Sequence, residues 1–156
     1  IYHETQYIDK YLISDAPQHV INLNELGKYK IEDAEVEVID SVADYAELMQ
    51  EIFDFDKMRQ LFKSGFKVRF DAMSAVGGPY AKYILEDMLN APKGTVVNEE
   101  PLEDFGGLHP DPNPVNAKEL VAYMRNGDSD FGAASDGDAD RNMIVGKTID
   151  VAPSDS

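Results

Sequence analysis

The residues best placed to do chemistry lie in "FGAASDGDADRNMIVG", Phe131 to Gly146. Asp136, Asp138 and Asp140 alternate with small residues, and Arg141 follows at once. Three like charges in so short a turn repel one another unless water screens them or a cation is shared. Hard divalent cations take oxygen ligands, and magnesium commonly takes a few carboxylates plus water and a phosphate oxygen. A tight loop lets side chains at i, i+2 and i+4 converge on one ion. The turn therefore reads as a cation cradle.

Other readings compete. A solvated Asp/Gly turn between two strands is the plainest. An EF-hand calcium loop begins with the same spacing, but its sixth position here is Arg141 where Gly is needed. Its twelfth is Lys147 where a bidentate Glu belongs, and the flanks read as strands rather than helices. Spacing alone leaves open an aspartyl nucleophile of the phosphatase type. Arg141 can meet a phosphate that the cation also touches, or simply pair with its acidic neighbours.

Two more stretches carry candidate chemistry. "PLEDFGGLHPDPNP", Pro101 to Pro114, is dense in turn formers, and Gly106-Gly107 permits close backbone approach. His109 there is the group suited to proton transfer near neutrality, although a lone loop histidine is more often structural. His3 and His19 have no supporting partners in the sequence. "DAMSAVGGPY", Asp71 to Tyr80, is a strand–turn–helix junction of the kind that can bind an anion. It lacks both G-x-G-x-x-G and the P-loop lysine, so it reads as a packing turn.

The elements that must hold these residues follow from periodicity. "VEVID", Val36 to Asp40, alternates like a strand. Ser41 and Asp44 have capping-box spacing, and Tyr45, Leu48, Met49, Ile52 and Phe53 then form one apolar helical face. A second helix fits Asp56 to Phe62, stopped by Ser64-Gly65. "FKVRFDA" is a strand with Phe66, Val68 and Phe70 on one face and Lys67, Arg69 and Asp71 on the other. A helix with Pro79 in its first turn would bury Ala81, Ile84, Leu85, Met88 and Leu89. "GTVVN" is a short strand, "AKELVAYM" a helix burying Ala117, Leu120, Val121 and Met124, and "FGAAS" and "NMIVG" are strands of a hairpin around the acidic turn. Strands alternating with helices predict a three-layer α/β domain: a mixed, mostly parallel sheet with helices on both faces. Residues 36–156 would form it. Residues 1–35 read as a lead-in segment, with a short helix in "TQYIDKYLI".

Composition sets outer bounds. The 156 residues suit one domain of ordinary size, and the absence of cysteine rules out disulfides and thiolate metal sites. With 30 acidic against 14 basic residues the formal charge is −16, which repels nucleic acid and anionic membrane alike. It would also repel a phosphorylated small molecule unless a metal ion or a basic domain intervened. No apolar run approaches a membrane span, and the first residues do not read as a signal peptide. A chain opening on Ile1 and closing on "APSDS" reads as a piece of a longer one.

Taken together, "VEVIDSVADYAELMQEIFDF", "FDAMSAVGGPYAKYILEDMLNAP", "PLEDFGGLHPDPNP", "FGAASDGDADRNMIVGK" and the closing "PSDS" resemble eukaryotic-type phosphoglucomutase, of the α-D-phosphohexomutases. The similarity runs in order from about Val36 to Ser156 and matches the second, metal-binding domain of that four-domain enzyme. The resemblance implies interconversion of glucose 1-phosphate and glucose 6-phosphate through a bisphosphorylated glucose. It implies that Asp136, Asp138 and Asp140 ligate Mg²⁺, that an oxygen of a phosphoserine on the first domain completes the site, and that Arg141 lies beside the phosphoryl group. The partners implied are the remaining domains of the parent and a phosphorylated hexose, in the cytoplasm. No serine here is followed by histidine, and neither an R-x-S-G-T phosphate loop nor a Glu-Glu-Ser sugar loop occurs. The chain alone is therefore expected to be inactive. Many family members have Gly between the second and third Asp; with Ala139 there, a negative φ is expected. A non-catalytic regulatory or scaffolding relative is the alternative, and the intact acidic turn argues against such decay.

Overall fold

The computed structural model describes residues 2–11, 21–31, 33–127, 129–148 and 150–151. The chain divides into two compact units, Ile1–Asp40 and Ser41–Ser156. The first holds a short helix α1 (Tyr2–Thr5) and an antiparallel hairpin of β1 (Gly27–Ile31) with β2 (Ala34–Val38). The strand expected at Val36 to Asp40 is thus present two residues earlier, but it pairs in this separate two-stranded sheet instead of joining the main one. Helix α1 lies N-terminal to most of the stretch read as helical, whose Leu12 and Ile13 fall outside the described residues, as does the closing "PSDS".

The second unit is the mixed α/β domain. Its elements are α2 (Ser41–Ile52), α3 (Phe55–Lys63), β3 (Val68–Asp71), α4 (Gly78–Ala81), β4 (Val96–Val97), α5 (Lys118–Asn126), β5 (Phe131–Ser135), β6 (Asn142–Val145) and β7 (Asp150–Val151). The sheet order is β4-β3-β5-β6-β7. β3 is parallel to both β4 and β5, while β6 is antiparallel to β5 and to β7, so four of the five strands share a direction.

Alternation sends the two faces of the sheet to different helices. Helix α5 buries Leu120, Val121 and Met124 against Met73, Ala134, Met143 and Val145. Each of the leucine, valine and methionine side chains gives about 1.5–3 kcal/mol on burial. Gly132 is glycine because a Cβ there would lie 2.7 Å from Met124 Cγ. Arg69 and Asp71 lie on the face that α5 covers, Arg69 half-buried and Asp71 buried. The Arg69 guanidinium stacks 4.4 Å from the Tyr123 ring, and Asp71 is 6% exposed, accepting from Met73 N at 2.9 Å and Asn98 Nδ2 at 2.8 Å.

On the opposite face, α4 runs on into a π-helical segment, Lys82–Met88, closed by Leu89 N donating to Ile84 O at 2.9 Å. Of the stripe expected to be buried here only Leu89 is fully so; Ala81, Ile84, Leu85 and Met88 are half-buried. The unforeseen buried residue is Glu86, whose Oε1 accepts from Gly94 N at 2.9 Å and Val96 N at 3.0 Å. The apolar stripe of α2 is a second difference: Tyr45, Leu48, Ile52 and Phe53 are 45–58% exposed, and Ala46 is the residue that α2 buries. Helix α3 is capped by Asp54, which accepts from Lys57 N, and ends at Ser64 as its sequence suggested. Among the described residues, no helix is long and apolar enough to cross a membrane.

Candidate metal centre

β3, β4 and β5 point the same way, so the loops that follow them meet at the C-terminal ends of these strands, where open α/β sheets place their sites. Backbone hydrogen bonds stitch these loops together. Ser74 N donates to Asn98 O at 2.9 Å, Leu102 N to Ser74 O at 3.0 Å, and Gly137 N to Pro110 O at 3.1 Å.

The acidic turn follows β5. Asp136 N donates to Arg141 O at 3.2 Å, and Ala139 N to Asp136 O at 3.3 Å, so residues 136–141 form a closed loop. Ala139 has φ +65°, against the negative value expected from its side chain. Closing the loop so that alternate side chains converge overrides the local preference, which for an L-residue is worth about 1–2 kcal/mol. The result is convergence: one carboxylate oxygen from each of Asp136, Asp138 and Asp140 lies within 4.8 Å of the others. Asp136 is buried at the floor of the turn, while Asp138 and Asp140 are exposed.

The three are not equivalent electrostatically. Burial opposes ionisation of Asp136, but the Arg141 backbone N–H, guanidinium and charge outweigh it and hold the carboxyl below its ordinary range. Asp140 is pushed the other way, chiefly by the charge of Asp138, then by desolvation and by Asp136. That upward push is the unrelieved repulsion of the turn.

Arg141 ties the turn to its surroundings. Its backbone N donates to Asp136 Oδ1 at 3.0 Å, its Nε to Asp136 Oδ2 at 3.0 Å, and its Nη1 to Asp111 Oδ1 at 2.8 Å. Hydrogen bonds to these two carboxylates raise its pKa further. Of the two readings of Arg141, pairing with acidic neighbours is thus present, and it leaves the Nη2 edge for another oxygen. Asp111 was missed because an acid between two prolines reads as a turn former. Asp–Pro–Asn at Asp111 to Asn113 was its only local signal.

The loop from Pro101 to Pro114 supports the turn from the side. Asp104 caps its 3₁₀ turn (Phe105–Gly107) by accepting from Gly106 N at 3.0 Å, and Gly106 and Gly107 have φ of +66° and +74°. His109 is exposed, and its carbonyl accepts from Asp111 N at 2.9 Å; the structure does not bring its ring to the carboxylates. The Asp71–Tyr80 junction is a packing turn. Met73 and Ser74 both have φ +53°, and a Cβ on Gly78 would collide with the Glu99 carbonyl. Gly77 passes against the side chains of Ser135 and Ala139, where a Cβ would lie 3.2 Å from each. A cleft of ≈ 740 Å³ opens beside this junction, floored by Val68, Phe70, Ala133 and Ile144 and bordered by Asp138 and Arg141.

Three converging oxygen donors, with no sulfur or nitrogen ligand beside them among the described residues, fit a hard divalent cation. The arrangement concentrates negative charge at a strand-end rim that also carries a fixed guanidinium. It can hold a cation and, next to it, a phosphoryl oxygen.

Fold and site together define an α/β/α domain that presents a carboxylate turn at the ends of its parallel strands. The family model for phosphoglucomutase/phosphomannomutase, alpha/beta/alpha domain II, matches residues 43–149, and the chain belongs to that family. It is 57% identical over 157 residues to a phosphoglucomutase of Rhizobium radiobacter, covering 100% of this chain and 29% of that protein. It is 53% identical over 158 residues to the chloroplastic phosphoglucomutase 1 of Marchantia polymorpha, covering 100% of this chain and 24% of that protein. Among solved structures, the exocytosis-sensitive phosphoprotein parafusin, a phosphoglucomutase of Paramecium in its open form, superposes with TM-score 0.78 at 47% identity. That match covers 86% of this chain and 26% of the other. The chain therefore spans less than a third of the length of the relatives it matches.

Proposed function

We propose that this chain is the metal-binding domain of a longer phosphoglucomutase that interconverts glucose 1-phosphate and glucose 6-phosphate through glucose 1,6-bisphosphate. Asp136, Asp138 and Asp140 hold Mg²⁺ in this reading, with an oxygen of a phosphoserine from another domain completing the set. The convergence of the three carboxylate oxygens within 4.8 Å, beside a fixed guanidinium, carries the proposal. When bound, Mg²⁺ supplies positive charge that draws electron density from the phosphoryl oxygens. Asp136 anchors the turn through Arg141, and the Arg141 guanidinium turns its Nη2 edge to the phosphoryl group. The sugar is held by other domains, since this chain has no phosphate or sugar loop of its own and a charge of −16. The calcium-loop reading gives no account of Arg141 at the sixth position, and a purely regulatory relative gives none of an intact acidic turn. We place the enzyme in the cytoplasm; the chloroplastic name of the Marchantia relative makes a plastid the other compartment to test.

The test is made on the full-length protein. Glucose 1-phosphate conversion is assayed with Mg²⁺, with chelator, and with Asp138→Asn. Metal-dependent turnover that collapses in the variant supports the reading. No turnover with any divalent ion would sink it and favour the non-catalytic relative.

A further inference from the structure

We propose that Asp111 is the positioning residue for Arg141: it holds the guanidinium at the rim of the acidic turn, against Asp136, and keeps it from turning further onto Asp138 and Asp140. This rests on the phosphoglucomutase reading above.

The two residues lie 30 positions apart and come from different loops, yet Arg141 Nη1 donates to Asp111 Oδ1 at 2.8 Å. Asp111 stands outside the converging triad, which comprises Asp136, Asp138 and Asp140 among the described residues. It is itself braced. Its N–H donates to His109 O at 2.9 Å, its carbonyl accepts from Asn116 Nδ2 at 2.8 Å, and its Oδ2 accepts from Asn113 Nδ2 at 3.4 Å. Pro112 beside it is fully buried, which fixes the loop. A planar guanidinium bonded through Nε to one fixed carboxylate and through Nη1 to another cannot swivel, so the direction of its Nη2 edge is set.

Without Asp111 the carboxylates left paired with Arg141 among the described residues belong to the triad. Its Nε is already 3.8 Å from Asp140 Oδ1. The guanidinium, already on Asp136, would then turn further onto Asp138 and Asp140 and compete with the cation for them. Asp111 thus acts on both the phosphoryl contact and the cation, each time through Arg141.

The experiment is a double-mutant cycle in the full-length protein with Asp111→Asn, Arg141→Ala and the pair, read by glucose 1-phosphate kinetics and by Mn²⁺ affinity from paramagnetic resonance. Asp111→Asn should lower kcat/KM by about tenfold or more and weaken Mn²⁺ binding several-fold. In the Arg141→Ala background the same change should move each quantity by less than about twofold. Asp111→Glu should recover part of both. Equal effects of Asp111→Asn in the two backgrounds would overturn the proposal, because a simple loss of charge or of loop structure predicts that. If the wild type turns over nothing, the phosphoglucomutase reading fails, and the Mn²⁺ cycle still decides the coupling of Asp111 to Arg141.

Discussion

Both carboxylate oxygens of Asp136 are bonded to Arg141: Oδ1 accepts its backbone N–H and Oδ2 its Nε, each at 3.0 Å. The residue is thus a brace of the turn as well as a candidate ligand, and the brace should be measurable without metal. Its folded pKa lies below the unfolded value of about 3.9, so its contribution is full at neutral pH and lost as pH falls below about 4. In chelator at pH 7, Asp136→Asn should cost about 1–2 kcal/mol in urea unfolding, since the charge-assisted bonds of a buried carboxylate to a half-exposed guanidinium are replaced by weaker neutral ones. The gap to wild type should narrow towards pH 3. An unfolding midpoint equal to wild type at pH 7 would count against the brace.

How far these relationships were legible depended on their range. The α5 stripe of Ala117, Leu120, Val121 and Met124 is buried as its period required, and the β5–turn–β6 hairpin lies where "FGAAS" and "NMIVG" placed it. In α2 the period located an apolar face correctly, but periodicity does not say whether anything covers that face, and Tyr45, Leu48 and Ile52 stay exposed. Asp111 was invisible because its partner is 30 residues away. Glu86 was invisible because the π-helical segment changes which side chains point inward. The sign of φ at Ala139 was misread because loop closure, not residue preference, sets it.

That misreading has a direct test. Ala139 sits at φ +65°, a region costing an L-residue about 1–2 kcal/mol, part of which glycine gives back through its freer unfolded state. Ala139→Gly should therefore raise unfolding stability by about 0.5–1 kcal/mol. Because the wild-type turn already holds the required backbone, Mg²⁺ affinity should stay within about twofold. A destabilised variant would mean that the Ala139 methyl, which packs near Gly77, matters more than the backbone.

Glu86 offers a second stability test, remote from the acidic turn. Its side chain is 3% exposed and accepts from the backbone N–H groups of Gly94 and Val96, with Lys93 Nζ 3.8 Å from the other oxygen. Glu86→Ala would strand the buried Val96 N–H, which costs about 1–3 kcal/mol, whereas the N–H of the exposed Gly94 can turn to water. A loss of about 2 kcal/mol is expected from Glu86→Ala, with a smaller one from Glu86→Gln, whose amide oxygen can still accept. Equal losses would show that packing, not hydrogen bonding, is what Glu86 supplies.

Asp140 separates stability from function most sharply. Its pKa is raised above the ordinary aspartate value, first by Asp138, then by desolvation and Asp136. A carboxyl with a raised folded pKa makes the fold less stable as pH rises through that pKa, because the ionised form is disfavoured in the native turn. At pH 7 in chelator Asp140→Asn should then melt at a higher temperature than wild type, because one repelling charge is gone. Saturating Mg²⁺ should reverse the order. A cation bound only to the folded state stabilises it by RT ln(1 + [L]/Kd), which for ligand at a hundred times Kd is about 2.7 kcal/mol, and the variant forgoes most of that. The two melting curves should cross over as Mg²⁺ is titrated in. A variant less stable than wild type in chelator would show that the repulsion is screened. One that gains as much from Mg²⁺ as wild type would remove Asp140 from the ligand set.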